Sequence, residues 1–346
     1  MHKRGSPMGV LLVCGLALLI LGIYVWKNAA RPRKYSETKL LMGTVAQLDV
    51  CESAQNIEDA YKHVWERLED IAWRMNVFDA RSDVARINSA QFEPVYVGRD
   101  TYYVLERSAN FSKATAGAFD ITVWPLIELW RDSADKNIMP EQDQIDSVLG
   151  AVGSGNVELL SENRVRLKNP RTKIDLGGIA AGYAVDEAAR IFREHGITDF
   201  FVDIGGDVYA GGKNCAGRPW RIGVRDPRDR AKIIDVVEVS DRAVVTSGNY
   251  EKYLVIQGEQ WSHIFDPRTG YPQKDVVSAT VIAEMAIDAD AMATALCVLG
   301  SGDGTAYIDS LPEPFASLMI IRQKSGAIQQ FPSRHYGTYQ RGGKLP

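Results

Sequence analysis

An uncharged apolar run near the N-terminus divides this chain into two parts. Residues 8–26 form about 19 positions without a charged side chain, which is long enough to cross a bilayer as a helix. Tyr24 and Trp26 lie at its end, where amphipathic aromatic side chains favour the headgroup layer. We therefore expect residues 1–34 to form a transmembrane anchor with basic flanks, and residues 35–346 to form the folded body. A cleaved signal peptide is the alternative, but the run is long and lacks the small residue expected three positions before a cleavage site.

The charge of the body excludes one broad class of partner. Six of the 40 Lys and Arg residues precede residue 35, so the remainder carries 34 basic against 44 acidic side chains, a formal net charge of −10. Nucleic-acid binding requires a basic face, so no nucleic-acid partner is expected. Basic residues flank the apolar run on both sides, and charge alone therefore does not set its orientation in a membrane.

The pattern of apolar residues predicts a body of mixed helices and strands. Helical spacing predicts helices at about 61–75, 103–115, 180–193, 286–299 and 304–310. Strands are predicted at 45–51, 157–160, 165–168, 200–209, 220–224, 233–239, 243–245, 263–265, 278–283 and 317–321, and a turn-rich stretch at 133–142. Because these elements do not alternate as βαβ units, we predict an α+β fold rather than a doubly wound sheet.

Several common signatures of function are absent from the sequence. There is no GxGxxG after a strand, no GxxxxGK[ST] loop and no GxSxG motif. The usual dinucleotide-binding, P-loop and serine-hydrolase classes are therefore unsupported. Cys51, Cys215 and Cys297 lack the spacing of metal ligands, and we interpret them as small buried or half-buried thiols.

Two Gly-Gly pairs follow predicted strands and are candidate ligand sites. Gly177 and Gly178 immediately precede the helix predicted to begin at residue 180. Adjacent glycines let a ligand approach the backbone, and the N–H groups of a helix start suit phosphate. Gly205 and Gly206 precede Asp207, whose carboxylate could accept hydrogen bonds from a ribose, ribityl or adenine group. Tight or solvated turns explain both pairs equally well.

Two further segments carry candidate metal-binding and acid–base residues. Asp290 and Thr294 are four residues apart and lie on one face of a predicted helix. A carboxylate with a hydroxyl supplies the hard oxygen ligands that Mg²⁺ prefers, although Asp288 or Asp290 could instead cap the helix. His263 precedes a turn rich in Pro and Gly, and an imidazole that titrates near neutral pH could serve as a general base. The alternative is a half-buried structural histidine.

Taken together and in order, these segments resemble the ApbE family of FAD:protein FMN transferases. The resemblance covers about residues 40–300 and departs at Ala181, where the family commonly has lysine; Lys173 or Arg225 could substitute for it. The matching segments are Met42-Gly43-Thr44, GAFDITVWPL at 117–126, IDLGGIAAGYAVD at 174–186, Gly205-Gly206-Asp207, Val245-Thr246-Ser247-Gly248, HIFDPRTGYP at 263–272 and ADAMATAL at 289–296.

The resemblance implies a fold and a set of site residues. The fold is an α+β body in two parts with FAD bound between the halves. The residues implied at the FAD site are Met42, Gly177, Gly178, Asp207, Thr246 and His263, with His263 also the candidate catalytic base. Those implied around Mg²⁺ are Asp290, the Thr294 hydroxyl, and the backbone at Ala180 and Ala293.

The resemblance also implies a reaction and partners. FMN would pass from FAD to a threonine or serine of a partner protein in a Mg²⁺-dependent step that forms a phosphoester and releases AMP. The implied acceptor is a flavin-carrying subunit of a membrane redox complex. The expected location is the inner (cytoplasmic) membrane, with the catalytic domain on the periplasmic side. An FAD pyrophosphatase that yields FMN and AMP, or a non-catalytic FAD-binding protein, are the alternatives.

Overall fold

The computed structural model of this chain describes residues 33–52, 56–249, 253–323 and 325–341. The helices are α1 (Ile57–Arg74), α2 (Asp83–Ser89), α3 (Arg99–Ala114), α4 (Trp124–Lys136), α5 (Gln142–Leu149), α6 (Ala180–Glu194) and α7 (Ala286–Ser310), with 3₁₀ turns at Ile121–Val123, Ser154–Asn156 and Tyr336–Thr338. The strands are β1 (Arg33–Leu41), β2 (Thr44–Glu52), β3 (Val95–Tyr96), β4 (Val157–Leu160), β5 (Arg164–Leu167), β6 (Phe200–Ile204), β7 (Asp207–Gly211), β8 (Trp220–Asp226), β9 (Asp229–Val239), β10 (Arg242–Gly248), β11 (Tyr253–Ile256), β12 (Glu259–Ser262), β13 (Val276–Ala283), β14 (Ala316–Arg322) and β15 (Ile328–Pro332).

An antiparallel sheet of eight strands organises these elements, in the order β1-β2-β6-β7-β10-β13-β14-β15. Successive side chains of a strand point to opposite faces, and here both faces are covered. One face, with Leu48, Val202 and Val281, packs against α1, α6 and α7 in the main core. The other face, with Val244 and Ile282, is covered by the β8–β9 hairpin and residues near the C-terminus.

A separate apolar cluster forms around Trp130, where α4 and α5 pack against the β11–β12 hairpin. Trp130 is fully buried, and its indole N–H donates to the Gly270 carbonyl at 3.0 Å. This bond ties the segment after β12 to α4. The predicted mixture of helices and strands is thus confirmed as an α+β fold, with a large core and two smaller apolar clusters.

Most predicted elements are present with boundaries shifted by a few residues, but the assignments at 200–209, 263–265 and 133–142 are wrong. The stretch 200–209 is two strands rather than one, because Gly205 and Gly206 adopt φ of +67° and +100° and turn the chain back on itself. Residues 263–265 are not a strand: β12 ends at Ser262, and beyond it Phe265 forms an isolated bridge with Pro272. The turn-rich stretch from residue 133 begins as the last turn of α4.

The predicted anchor at 8–26 lies outside the described residues and stays a prediction. Within the described part of the chain, no helix is both long and apolar enough to cross a membrane.

Two cysteines form a disulfide that the sequence interpretation missed. Cys51 in β2 is bonded to Cys215, which lies 164 residues further on in the loop after β7, with a Cα–Cα separation of 4.8 Å. Pairing of β2 with β6, and of β6 with β7, brings the ends of these strands together. The interpretation of these two residues as thiols is therefore wrong, whereas Cys297 is a buried thiol whose pKa burial raises to about 12.

We expect this disulfide to stabilise the folded chain. Replacing both cysteines (Cys51→Ser with Cys215→Ser) should lower the free energy of unfolding by about 2–4 kcal/mol, because the crosslink restricts the unfolded chain. Chemical denaturation with and without reductant measures the effect, and the double variant should be insensitive to reductant. Alkylation of the denatured wild type should label two more cysteines after reduction than before; equal numbers would contradict the assignment.

Candidate active site

The first turn of α6 lies directly against the second turn of α7. The Gly182 N–H donates to Asp290 Oδ2 at 3.1 Å. A Cβ at Gly182 would lie 2.4 Å from the Ala286 carbonyl oxygen, so only glycine permits this approach. A Cβ at Gly178 would lie 3.1 Å from Thr294 Oγ1. Residues 178–182 therefore run alongside residues 290–294, as the resemblance implies.

Asp186 fixes the start of α7 against α6. Its carboxylate accepts hydrogen bonds from the Ala286 and Ile287 N–H groups at 2.7 and 2.9 Å. These are N–H groups of the first turn, which lack partners within their own helix. Burial raises the pKa of Asp186 to about 7. The cap of α7 thus comes from another helix, and the hypothesis that Asp288 or Asp290 caps it is wrong.

Asp288 and Asp290 have different surroundings on α7. The Asp288 carboxylate forms an ion pair with the Arg107 guanidinium of α3. Asp290 is buried, and its carboxyl lies beside that of Asp207 at the start of β7, close enough for each to shift the pKa of the other. Burial, together with repulsion between neighbouring carboxylates, raises the pKa of both Asp207 and Asp290 above the ordinary range. The structure therefore joins Asp207 to the predicted metal ligands.

The end of β10 brings a hydroxyl that the sequence interpretation missed. Ser247 Oγ lies 3.3 Å from Thr294 Oγ1, on the face of the sheet that packs against α7. Thr246 points to the opposite face, where its hydroxyl is hydrogen-bonded to that of Thr280 at 2.8 Å. Because side chains alternate along a strand, one of these two hydroxyls must face α7. Val245 lies in the main core, and Ser247, two residues later, faces the same side. The apolar Val245 was therefore the signal that could have identified Ser247.

Met42 lies at the same end of the strands of the large sheet as Asp207. Met42 and Gly43 form the turn between β1 and β2, with φ of +50° and +74°. This turn neighbours the β6–β7 corner, because the Gly205 N–H donates to the Val45 carbonyl at 3.0 Å. The structure thus brings Met42 close to the corner that Asp207 follows.

His263 begins a loop that is anchored at this same end of the strands. The buried Gln273 side chain donates to the Val276 carbonyl at 2.9 Å and accepts from the Val276 N–H at 3.2 Å. Val276 opens β13, whose Ser278 pairs with Gly248 at the end of β10. His263 is half-buried at the base of this loop.

Residue 181, where the family commonly has lysine and this chain has alanine, is half-buried in the first turn of α6. Ala181 packs against the main core there. Lys173, a candidate substitute, forms an ion pair with Glu128 of α4 at 2.8 Å. Gly177 and Gly178 lie between Lys173 and α6, and a Cβ at Gly178 would lie 3.5 Å from the ring of Phe119 in the GAFD segment.

The fold and this site define an α+β protein that gathers carboxylate and hydroxyl oxygens beside the N-terminus of a helix. The ApbE family model matches residues 42–319. A Vibrio cholerae protein named FAD:protein FMN transferase is 32% identical over 264 residues, covering 75% of this chain and 78% of that protein. A protein of the same name from Treponema pallidum is 31% identical over 338 residues, covering 91% and 93%.

Solved structures agree with these matches. The crystal structure of an ApbE protein from Thermotoga maritima superposes with a TM-score of 0.81 at 36% identity, covering 89% of this chain and 100% of that one. A structure of the flavin transferase ApbE from Vibrio cholerae gives a TM-score of 0.79 at 27% identity, covering 89% and 99%. The chain therefore belongs to the ApbE family and is an enzyme of the transferase class, as its motifs predicted.

We expect the glycine at the α6–α7 contact to be essential for stability. Gly182→Ala places a methyl group against the Ala286 backbone, which cannot move aside, and should lower the free energy of unfolding by about 3 kcal/mol. Gly302→Ala in the second half of α7 is the matched control, because no atom lies within 4 Å of its added Cβ. The control should be neutral or stabilising by up to about 1 kcal/mol. Chemical denaturation that ranks the two variants equally would contradict the close contact.

Proposed function

We propose that this enzyme transfers FMN from FAD to a threonine or serine hydroxyl of a partner protein, in a Mg²⁺-dependent reaction. The names of the relatives from Vibrio cholerae and Treponema pallidum support the substrate and the acceptor class. The observation that carries the proposal is the cluster of Asp207, Asp290, Thr294 and Ser247 beside the first turn of α6.

The donor set of this cluster fits Mg²⁺. Carboxylate and hydroxyl oxygens are the ligands that this ion prefers. The raised pKa values of Asp207 and Asp290 indicate that two negative charges are costly here without a cation. Asp290 and Thr294 would bind the ion directly, with the Ala180 and Ala293 carbonyls completing the set. When bound, Mg²⁺ would neutralise charge on the pyrophosphate oxygens.

The chain's own residues would position the FAD pyrophosphate. The N-terminus of α6 carries the positive end of the helix dipole, which stabilises phosphate groups. Gly177 and Gly178 present no side chain in front of it, so the backbone can approach the pyrophosphate closely. Met42 and Asp207, at neighbouring ends of the strands, would contact the flavin nucleotide. The backbone at Thr246 lies next to Ser247 on β10.

His263 is proposed as the general base. The acceptor hydroxyl oxygen attacks the FMN phosphorus while His263 takes the hydroxyl proton. The new oxygen–phosphorus bond is the phosphoester to the partner. The bond from that phosphorus to the bridging oxygen breaks, and its electron pair leaves with AMP. Because Gln273 anchors the loop to the start of β13, His263 would stay at this end of the strands during the transfer.

We further propose that the folded body works on the periplasmic side of the inner membrane. Disulfides persist in oxidising compartments and are rare in the cytosol, so the Cys51–Cys215 bond supports this location. An acceptor that is a flavin-carrying subunit of a membrane redox complex would be accessible there. The apolar run at 8–26 remains the proposed anchor.

The deciding experiment follows flavin through denaturation. The chain is incubated with FAD, Mg²⁺ and a candidate acceptor subunit, and the acceptor is examined for in-gel flavin fluorescence. Fluorescence that survives denaturation and disappears with EDTA supports the transferase. Free FMN and AMP with a dark acceptor would indicate a pyrophosphatase. FAD that stays bound and intact would indicate a non-catalytic binding protein.

Removing the central carboxylate should abolish metal-dependent turnover. Asp290→Ala deletes a proposed ligand and should lower kcat/KM by about 10³-fold or more, since metal stabilisation of transition-state charge amounts to several kcal/mol. Asp135→Ala, an exposed aspartate on α4, is the matched control and should retain full activity. Steady-state flavinylation rates across a Mg²⁺ titration make the comparison. Wild-type rates in Asp290→Ala would refute the metal assignment.

Removing the proposed base should slow transfer without preventing FAD binding. His263→Ala should lower kcat by about 10²–10⁴-fold, the usual contribution of general base catalysis. His335→Ala is the matched control, because His335 lies away from the site, with its Nδ1 3.1 Å from Glu313 Oε1. FAD affinity is measured by fluorescence titration and kcat by single-turnover flavinylation over a range of pH. An unchanged rate at every pH would remove His263 from this role.

A further inference from the structure

A second cluster of ligand-type side chains lies between α1 and α6, and the proposed function does not use it. His63 Nδ1 is 3.0 Å from His195 Nε2. Asp59 Oδ2 is 3.8 Å from His63 Nδ1 and 4.0 Å from His195 Nδ1. One ligand atom from each residue can be chosen so that all three lie within 4.8 Å of one another. The cluster uses two of the five histidines in the chain.

The main core holds these three residues in place. Asp59 and His63 are four residues apart on α1 and therefore share one face of that helix. His195 is the residue that ends α6, and its backbone N–H donates to the Ile191 carbonyl. The two helices pack through apolar contacts that include the Tyr61 and Phe192 rings, whose centres are 5.7 Å apart. The side chains thus meet because rigid elements bring them together.

We propose that Asp59, His63 and His195 bind a divalent transition-metal ion such as Zn²⁺. Two imidazoles with a carboxylate form a donor set suited to zinc, cobalt, nickel or copper rather than magnesium. Ligands of a tetrahedral zinc ion lie about 3.3 Å apart. Here His63 Nδ1 and His195 Nε2 are 3.0 Å apart, and a complete set of one ligand atom from each residue lies within 4.8 Å. Small side-chain rotations would therefore close the set around one ion.

The surroundings also favour a cation. His195 lies at the C-terminal end of α6, where the helix dipole is negative. The His63 and Asp59 side chains are 47% and 59% exposed, so an ion could enter from solvent and keep a water as its fourth ligand. The His195 side chain is 20% exposed and forms the inner wall of the site.

This site is distinct from the proposed Mg²⁺ site. The two lie at opposite ends of α6, a helix of 15 residues and about 22 Å in length. The proposed ligands at the C-terminal end of α6 include two imidazole nitrogens, whereas those at its N-terminal end are all oxygens. An ion at the histidine end would crosslink α1 to α6 and so strengthen the packing of the helix whose first turn forms the active site.

The test measures zinc binding directly and needs no flavin. The untagged chain is stripped with chelator and dialysed against Zn²⁺ in saturating Mg²⁺, which occupies oxygen-rich sites. Metal content should reach one zinc per chain for the wild type and for Asp290→Ala. His63→Ala and His195→Ala should weaken that binding by at least 10-fold, and Asp59→Asn should weaken it measurably. His335→Ala is the matched histidine control and should bind as the wild type does.

Two further readouts separate metal ligation from a simple hydrogen bond between the imidazoles. Co²⁺ should give visible absorption bands in the wild type that His63→Gln loses, although Gln can still form a hydrogen bond there. Zn²⁺ at a hundredfold excess over Kd should raise the Tm of the wild type by about 5 °C and leave that of His63→Gln unchanged. Less than one bound zinc in the wild type, or equal binding by the wild type and both alanine variants, overturns the proposal.

Discussion

The contact between α6 and α7 at Gly182 is the constraint on which the rest of the site depends. A side chain at this position would strike the Ala286 carbonyl, so the helices could not approach closely enough for the Gly182 N–H to reach Asp290. Asp186 secures the same contact one turn further along α6 by accepting the first N–H groups of α7. Asp290 and Thr294 face the start of α6 only while this contact persists.

Electrostatics favours the binding of a cation at this arrangement. Asp186, Asp207 and Asp290 converge where burial disfavours the charged form of each, and their pKa values rise accordingly. Asp288, two residues before Asp290, is instead neutralised by Arg107 on the far side of the helix. One aspartate of α7 therefore stabilises packing against α3, while the other, Asp290, has no basic partner among the described residues and would be stabilised in its charged form by a bound metal ion.

The sheet and α6 connect three distant features of the molecule. Three features meet at one end of the strands, over the first turn of α6. They are the β6–β7 corner, the end of β10 and the loop that begins at His263. The other end of α6 leads to His195 and then to β6, which pairs with β2 beside the Cys51–Cys215 bond. The disulfide and the proposed histidine site thus lie at the end of the body opposite the candidate active site.

The sequence by itself determined the family and the α+β class, because the order of the motifs and the spacing of apolar residues can both be read along the chain. The candidate metal ligands Asp290 and Thr294 came from the family resemblance rather than from their spacing. Only the tertiary structure decided which hydroxyl of Thr246 and Ser247 faces α7, since the face depends on the register of β10 against its neighbours. It also decided that Asp186 caps α7, that Asp207 meets Asp290, that Cys51 joins Cys215 and that His63 meets His195. The members of the last two pairs are 164 and 132 residues apart, and the packing of whole elements, which local residue patterns do not encode, brings them into contact.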